Sequence, residues 1–296
     1  MPPAEDPVAR TPAPGPHVAD GLLLIDKPAG ITSHDAIDEV RRALGVRKVG
    51  HAGTLDPMAT GLLVMGVGRA TRLLRFLSDL PKEYEGTGEL GTETDTLDAM
   101  GIVKRSVPVD LTDDQLREAM QQLVGEIWQR PPAFSAVKVG GRRLHRLARE
   151  GRAVEGRPRQ VMVEAFELLG REGSTFDFRV VCSSGTYVRS LVAEVGQRVG
   201  TGAHLSRLVR TRIGPFHVGQ ATSPAQPGAP LPLERAVAHL PRLDLDEEEA
   251  TAARHGRPLG PLDSDDPHAA FDPSGRLVGI YRDCGAKACP DVVVPA

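Results

Sequence analysis

The chain has 296 residues, 40% of them hydrophobic and 25% charged, with a formal net charge of -3. That is enough apolar material for one large domain with a smaller one appended, and no run approaches the roughly 20 apolar residues that cross a bilayer. The N-terminal stretch MPPAEDPVARTPAPGPHVAD lacks the apolar centre of a secretory signal, so a cytoplasmic protein is expected.

Residues 1–19, rich in proline and alanine and without periodicity, read as a disordered tail. Residues 21–25 are expected as a short apolar strand, stopped by the turn sequence Lys27-Pro28-Ala29-Gly30. Thr32-Ser33-His34-Asp35 has capping-box spacing, and Ile37, Val40 and Leu44 follow at helical intervals before Gly45. Residues 50–61 form a glycine-punctuated loop ahead of the apolar run 62–67, a buried strand by its pattern. A short helix is expected over 71–77 and a strand over 84–90. A second capping box, Thr112-Asp113-Asp114-Gln115, opens a helix with Leu116, Met120 and Leu123 on one face.

Residues 134–139 read as a strand and the basic segment 142–150 as an exposed helix. Two neighbouring strands are expected at 161–169 and 175–181, then a helix over 187–199 with Val188, Leu191, Val192 and Val195 inward. Strands and helices mix without strict alternation, which points to an α+β fold rather than a doubly wound one. After Gly219, Pro224, Pro227, Pro230, Pro232 and Pro241 mark a linker over 220–241, and 242–296 reads as a small β-rich domain. Cys182, Cys284 and Cys289 suggest no disulfide framework, and Cys284 and Cys289 lack the second Cys or His pair of a zinc site. Packing roles and no metal are expected.

Charge is spread unevenly. From Arg130 to Arg159 nine Lys or Arg, Arg142, Arg143 and Arg146 among them, face only Glu150 and Glu155. Arg198, Arg207, Arg210 and Arg212 make a second cluster free of acids. A phosphate backbone meets such a local basic face rather than the global charge, although solvated helix faces suit the first cluster equally well.

The most informative stretch is Gly50-His51-Ala52-Gly53-Thr54-Leu55-Asp56-Pro57-Met58-Ala59-Thr60-Gly61-Leu62-Leu63. Three glycines, a proline and one carboxylate make a shaped loop that holds a single acid in place. Taken alone, Asp56 suits a turn former as well as a catalyst, and His51 suits a structural histidine. The stretch, however, resembles the signature G-H-x-G-x-L-D-P-x-A-x-G-x-L of the TruB family of pseudouridine synthases. Four more blocks resemble that family in order: Leu24 to Asp35, Lys82-Glu83-Tyr84, Cys182 to Ser190, and Leu205 to Phe216. A short C-terminal block, Asp272 to Tyr281, resembles a PUA-like domain.

The resemblance implies a mixed, mainly antiparallel sheet with flanking helices over 20–219, and a PUA-like domain over 242–296. It implies an isomerase that converts uridine 55 of the tRNA T-loop to pseudouridine, as a monomer on the T-arm, without cofactor or protein partner. Asp56 would be the nucleophile, Arg189 its ion-pair partner and Tyr84 the ring stacked on the uracil. Leu208 would lie beneath the base, Lys27 and Pro28 would support the loop, and His51 would fill the space the target base leaves. From the two basic clusters, and not from the resemblance, Arg142, Arg143, Arg146 and Arg210 are expected to meet the RNA backbone.

The chemistry fits these residue types. The reaction leaves the oxidation state unchanged, and a carboxylate ionised at neutral pH can attack uracil C6 or assist at C1′. A protein that binds RNA without catalysis has no need of Asp56, Tyr84 and Arg189 together. A guide-RNA-dependent synthase would work with partner proteins, whereas the basic segment from Arg130 to Arg159 suits an enzyme with its own RNA grip.

Overall fold

The computed structural model describes residues 19–132, 134 and 156–295, with the backbone of 138–139 and 142–143. In chain order its strands are β1 (Gly21–Lys27), β2 (Val49–His51), β3 (Thr60–Val67), β4 (Lys82–Leu90), β5 (Thr92–Thr94) and β6 (Val103–Ser106). There follow β7 (Gly125–Gln129), β8 (Lys138–Val139), β9 (Arg142–Arg143), β10 (Arg159–Glu172), β11 (Thr175–Cys182), β12 (Ala203–Ile213) and β13 (Phe216–His217). The last four are β14 (Arg242–Asp244), β15 (His268–Phe271), β16 (Leu277–Asp283) and β17 (Ala288–Val293). Helices span Ser33–Leu44, Leu74–Ser78, Asp113–Gln121, Val188–Arg198 and Glu247–Arg254.

The main sheet runs β1-β3-β12-β4-β11-β10-β7, with β2 beside β3 and β13 beside β12. Its pairs are antiparallel except β3 with β12. The continuous apolar runs of β1 and β3 arise because both faces are covered. Leu22, Leu24, Leu62 and Val64 enter one apolar cluster, while Leu23, Ile25, Leu63 and Met65 enter another on the opposite face. Ala36, Ile37 and Val40 of the helix Ser33–Leu44 cover that second face. Both capping boxes read from the sequence are present, at Thr32 with Asp35 and at Thr112 with Gln115. The rest of the sheet carries a third cluster that includes Tyr84, Phe166, Phe178, Leu191 and Leu208.

The proline-rich segment 220–241 is pinned to the sheet rather than a bare tether. β1 ends the sheet, and its free backbone groups bond to this segment: Leu22 N to Leu231 O at 2.9 Å, Leu231 N to Leu22 O at 2.7 Å, and Asp26 N to Thr222 O at 2.9 Å. A chain that covers the edge removes a row of unpaired donors and acceptors. At the contact Gly21 leaves no room for a side chain, since a Cβ there would lie 2.3 Å from Leu231 O. Beyond this strap, β14-β15-β16-β17 form a four-stranded sheet with the helix Glu247–Arg254. Its Phe271, Leu277, Ile280 and Val292 share the cluster of Leu22, Phe76 and Phe216.

Two further expectations change. Cys284 and Cys289 form a disulfide with Cα atoms 5.8 Å apart, because the β16–β17 hairpin sets Arg282 opposite Cys289 and Asp283 opposite Ala288. Arg142–Arg143 pairs as a strand with Lys138–Val139 instead of opening a helix. The tail 1–18 and Arg146 lie outside the described residues.

Candidate active site

The loop between β2 and β3 carries Asp56, and three side chains from different parts of the fold grip it. Ser33 Oγ, at the start of a helix, receives the Leu55 N–H at 2.9 Å and lies 3.2 Å from Leu55 O. Lys27 Nζ donates to Pro28 O at 2.8 Å, Ile31 O at 2.9 Å and Pro57 O at 3.3 Å. Arg210 donates to Leu62 O at 2.7 Å, Gly53 O at 3.1 Å and Thr54 O at 3.4 Å. Lys27 and Arg210 are fully buried cations that serve backbone carbonyls, which is how a tight loop keeps its acceptors satisfied. Gly61 permits the approach of β12: its φ is 97°, and a Cβ would meet Arg210 O at 2.5 Å.

Leu55 is buried and Pro57 exposed, so Asp56 sits at the boundary with 38% of its side chain accessible. Arg189, from the buried face of the helix Val188–Arg198, brings its Nε to 2.9 Å from Asp56 Oδ2. This is an ion pair without an aligned hydrogen bond, since Nε–H points to no acceptor. The other guanidinium nitrogens are anchored: Nη1 to Asp98 Oδ2 and Thr96 O at 2.9 Å each, Nη2 to Phe134 O at 3.0 Å. Asp98 is itself held by the Thr96 hydroxyl at 2.6 Å and the Met100 N–H at 3.0 Å. One arginine is thus shared between two carboxylates, of which only Asp56 is open to a ligand.

The wall beside Asp56 is apolar. Tyr84 lies opposite Arg210 and Leu208 opposite Gly86 in the β4–β12 ladder, so alternation along each strand sets Tyr84 and Leu208 on one face. Both belong to the cluster that includes Leu55 and Ala59 of the loop. Burial raises the Asp56 pKa above the ordinary carboxylate value, the Arg189 charge opposes that rise, and the like charge of Asp98 adds to it. Burial also pushes the Tyr84 hydroxyl up and Lys27 down to about 8. His51, at the end of β2 and edge-on to His34 at 5.8 Å, is lowered to about 4 chiefly by burial, so its imidazole is neutral.

Comparison with known proteins places this geometry. Residues 41–188 match the family model described as TruB family pseudouridylate synthase (N terminal domain), and 240–295 match tRNA Pseudouridine synthase II, C terminal. A protein of Mycobacterium tuberculosis named tRNA pseudouridine synthase B is 45% identical over 277 residues, 90% of this chain and 93% of the relative. The chain belongs to the TruB family. A further TruB relative, from Aromatoleum aromaticum and of the same name, is 47% identical over 251 residues, 82% of each chain. Among solved structures, a Cbf5-Nop10-Gar1 complex superposes with a TM-score of 0.74 at 28% identity, covering 93% of this chain and 85% of that one. An H/ACA RNP bound to a substrate RNA containing 2′-deoxyuridine gives 0.70 at 26%, with 92% and 84% covered.

Of the residues singled out from the TruB signature, the fold brings Asp56, Arg189, Tyr84, Leu208, Lys27 and Pro28 around one loop, with His51 at its start. Arg210 does not meet the solvent as an RNA contact would. It is 1% exposed and spends its donors on the Asp56 loop. The side chains of Arg142 and Arg143 and all of Arg146 lie outside the described residues. Asp98 was missed in the sequence; the only signal is a run of alternating Thr and acid residues, Thr92-Glu93-Thr94-Asp95-Thr96-Leu97-Asp98, close to Gly91 and Gly101.

Proposed function

We propose that this TruB-family chain isomerises uridine 55 in the T-loop of tRNA to pseudouridine, with Asp56 as its nucleophile. The observation that carries the reading is one partly open carboxylate, ion-paired to a buried arginine and set against an apolar wall holding Tyr84 and Leu208. The reaction breaks the N1–C1′ bond, turns the uracil in place and forms C5–C1′. The C5 hydrogen leaves as a proton and N1 gains one, so electrons balance without a redox partner.

A carboxylate that attacks uracil C6 is eliminated from C6 once C5 loses its proton, whereas one that attacks C1′ expels uracil and is then displaced from C1′ by C5, so either route returns Asp56 free. Arg189 favours the ionised form against the desolvation that a seated base adds. A detached uracil has to be retained, and an aromatic face above with an aliphatic one below does so without reacting. The target uridine is stacked in free RNA, so it is flipped at a cost of a few kcal/mol. A neutral His51 ring at the rim suits the gap it leaves, because burying an uncharged imidazole between bases avoids desolvating a cation. Residues 20–219 supply these groups, with 242–296 as the appended module, and the chain works as a monomer on the T-arm without a protein partner.

The test is to map pseudouridine in tRNA from a strain lacking this chain and from one complemented with it. Loss of the T-loop modification, restored on complementation, is the expected result. Persistence of the T-loop pseudouridine in the deletion strain overturns the assignment.

A further inference from the structure

Beside the active-site loop lies an open groove of about 610 Å³, walled by the end of the helix Ser33–Leu44, by β2 and by the helix Leu74–Ser78. Arg41, Arg47, Lys48 and Arg75 line it together with His51, and no acid does. The segment from Arg41 to Arg75 holds seven Lys or Arg against the single acid Asp56. The groove exists because β2 and the short helix approach closely: Gly50 has no side chain, and a Cβ there would lie 3.1 Å from Leu74 Cδ1.

The cations differ in how they are held. Arg41 is fixed by Val49 O at 3.1 Å and Asp38 at 3.0 Å, and Arg75 by Asp291 of β17 at 2.5 Å. Arg47 and Lys48 are exposed and close no ion pair among the described residues. The Thr71 and Ser78 hydroxyls turn back to helix carbonyls at 2.8 and 3.0 Å, so the groove offers charge rather than neutral donors. Cations spread along a channel, with no set of donors converging on one point, suit a polyanion better than a single small anion.

We infer that this groove takes the sugar-phosphate backbone of the RNA strand next to the flipped nucleotide, with Arg47 and Lys48 neutralising phosphates. The inference rests on the proposed function, since it is continuity with His51 that ties the groove to the target strand. Phosphate contacts of this kind set register on the RNA without reading sequence. They would hold the strand beside the extruded base and so offset the cost of flipping.

The experiment measures affinity of the full chain for a T-arm stem-loop RNA across salt concentrations. Each lost phosphate contact flattens the slope of log K against log salt by about 0.7 to 0.9. Lys48→Ala and Arg47→Ala are each expected to show that change, and the double variant about twice it. Arg117→Ala, which removes a charge from an outer helix, is expected to keep the wild-type slope. Neutralising single T-loop phosphates as methylphosphonates then locates the contact: next to the target nucleotide, the substitution and Lys48→Ala should be non-additive. Wild-type slopes in both groove variants, additive effects at every phosphate, or displacement of RNA by inorganic phosphate at constant ionic strength would each overturn the inference. If the wild-type chain forms no pseudouridine in the same RNA, the proposed function fails. If it does and the Lys48→Ala slope is unchanged, the groove alone fails.

Discussion

Arg207 and Arg210 stand three residues apart in one acid-free cluster, yet the first keeps 59% of its side chain in solvent and the second is buried. The β4–β12 register is unbroken from Arg207 to Arg210, so alternation over three residues turns the two side chains to opposite faces of the sheet. Which of those faces the rest of the fold covers is a tertiary fact that charge counting cannot detect. Asp56 and Arg189 were legible through their motifs, whereas Asp98 was not, because its role depends on a loop folding back onto Leu205. His51 makes a prediction at this scale. Its folded pKa of about 4 lies below the ordinary 6.5, so between those values the unfolded chain binds the proton that the folded chain refuses. Stability therefore falls as pH drops through that window. From pH 7 to pH 4.5 the wild type should lose about 2 kcal/mol more than His51→Gln, given about 1.36 kcal/mol per pKa unit. Parallel denaturant titrations check this, and equal losses would mean the imidazole is charged or solvated.

At the scale of elements, the strands and capped helices of the main sheet were readable because period-2 and period-3.6 patterns survive wherever one cluster covers each face. The Asp56 loop and its support by Lys27 were readable through the family resemblance, but its hold by Ser33 and Arg210 was not. Its rigidity comes from Lys27, Ser33 and Arg210, which lie far apart in sequence and meet only through the β1–β3–β12 arrangement. Arg210→Ala leaves the carbonyls of Gly53, Thr54 and Leu62 without their donor. Each unsatisfied buried group costs about 1 to 3 kcal/mol, partly offset by removing a buried charge, so a net loss of about 3 kcal/mol is expected in denaturant unfolding. Turnover should fall more than RNA affinity, because the loop positions Asp56. A loss under about 0.5 kcal/mol would show that the guanidinium does not hold the loop.

For the whole molecule, composition suggested two units joined by a proline-rich tether, and the structure shows a strap and a shared core. Proline does mark the absence of regular structure over 220–241, but it does not report hydrogen bonds made to a sheet edge. Truncation after Gly219 would remove the strap from β1 and uncover Leu22, Leu24, Phe76 and Phe216 of the cluster shared with β15–β17. Exposed apolar surface of this kind drives aggregation, so the truncated chain should be insoluble or lack a cooperative thermal transition. A soluble fragment melting cooperatively near the full chain would mean that the C-terminal sheet is dispensable for the core.

The carboxylate of Asp56 is proposed to perform the chemistry, and Asp56→Asn isolates its part by keeping size while removing charge. The C5 hydrogen is lost when the new bond to C1′ forms, so tritium release from C5-labelled uridine in a T-arm RNA counts turnovers. Loss of a covalent nucleophile costs on the order of 10⁴ to 10⁶ in rate. A loss of that size with RNA binding retained is expected. Release within about tenfold of wild type, a difference of only about 1.4 kcal/mol, would make Asp56 a turn residue and not the nucleophile.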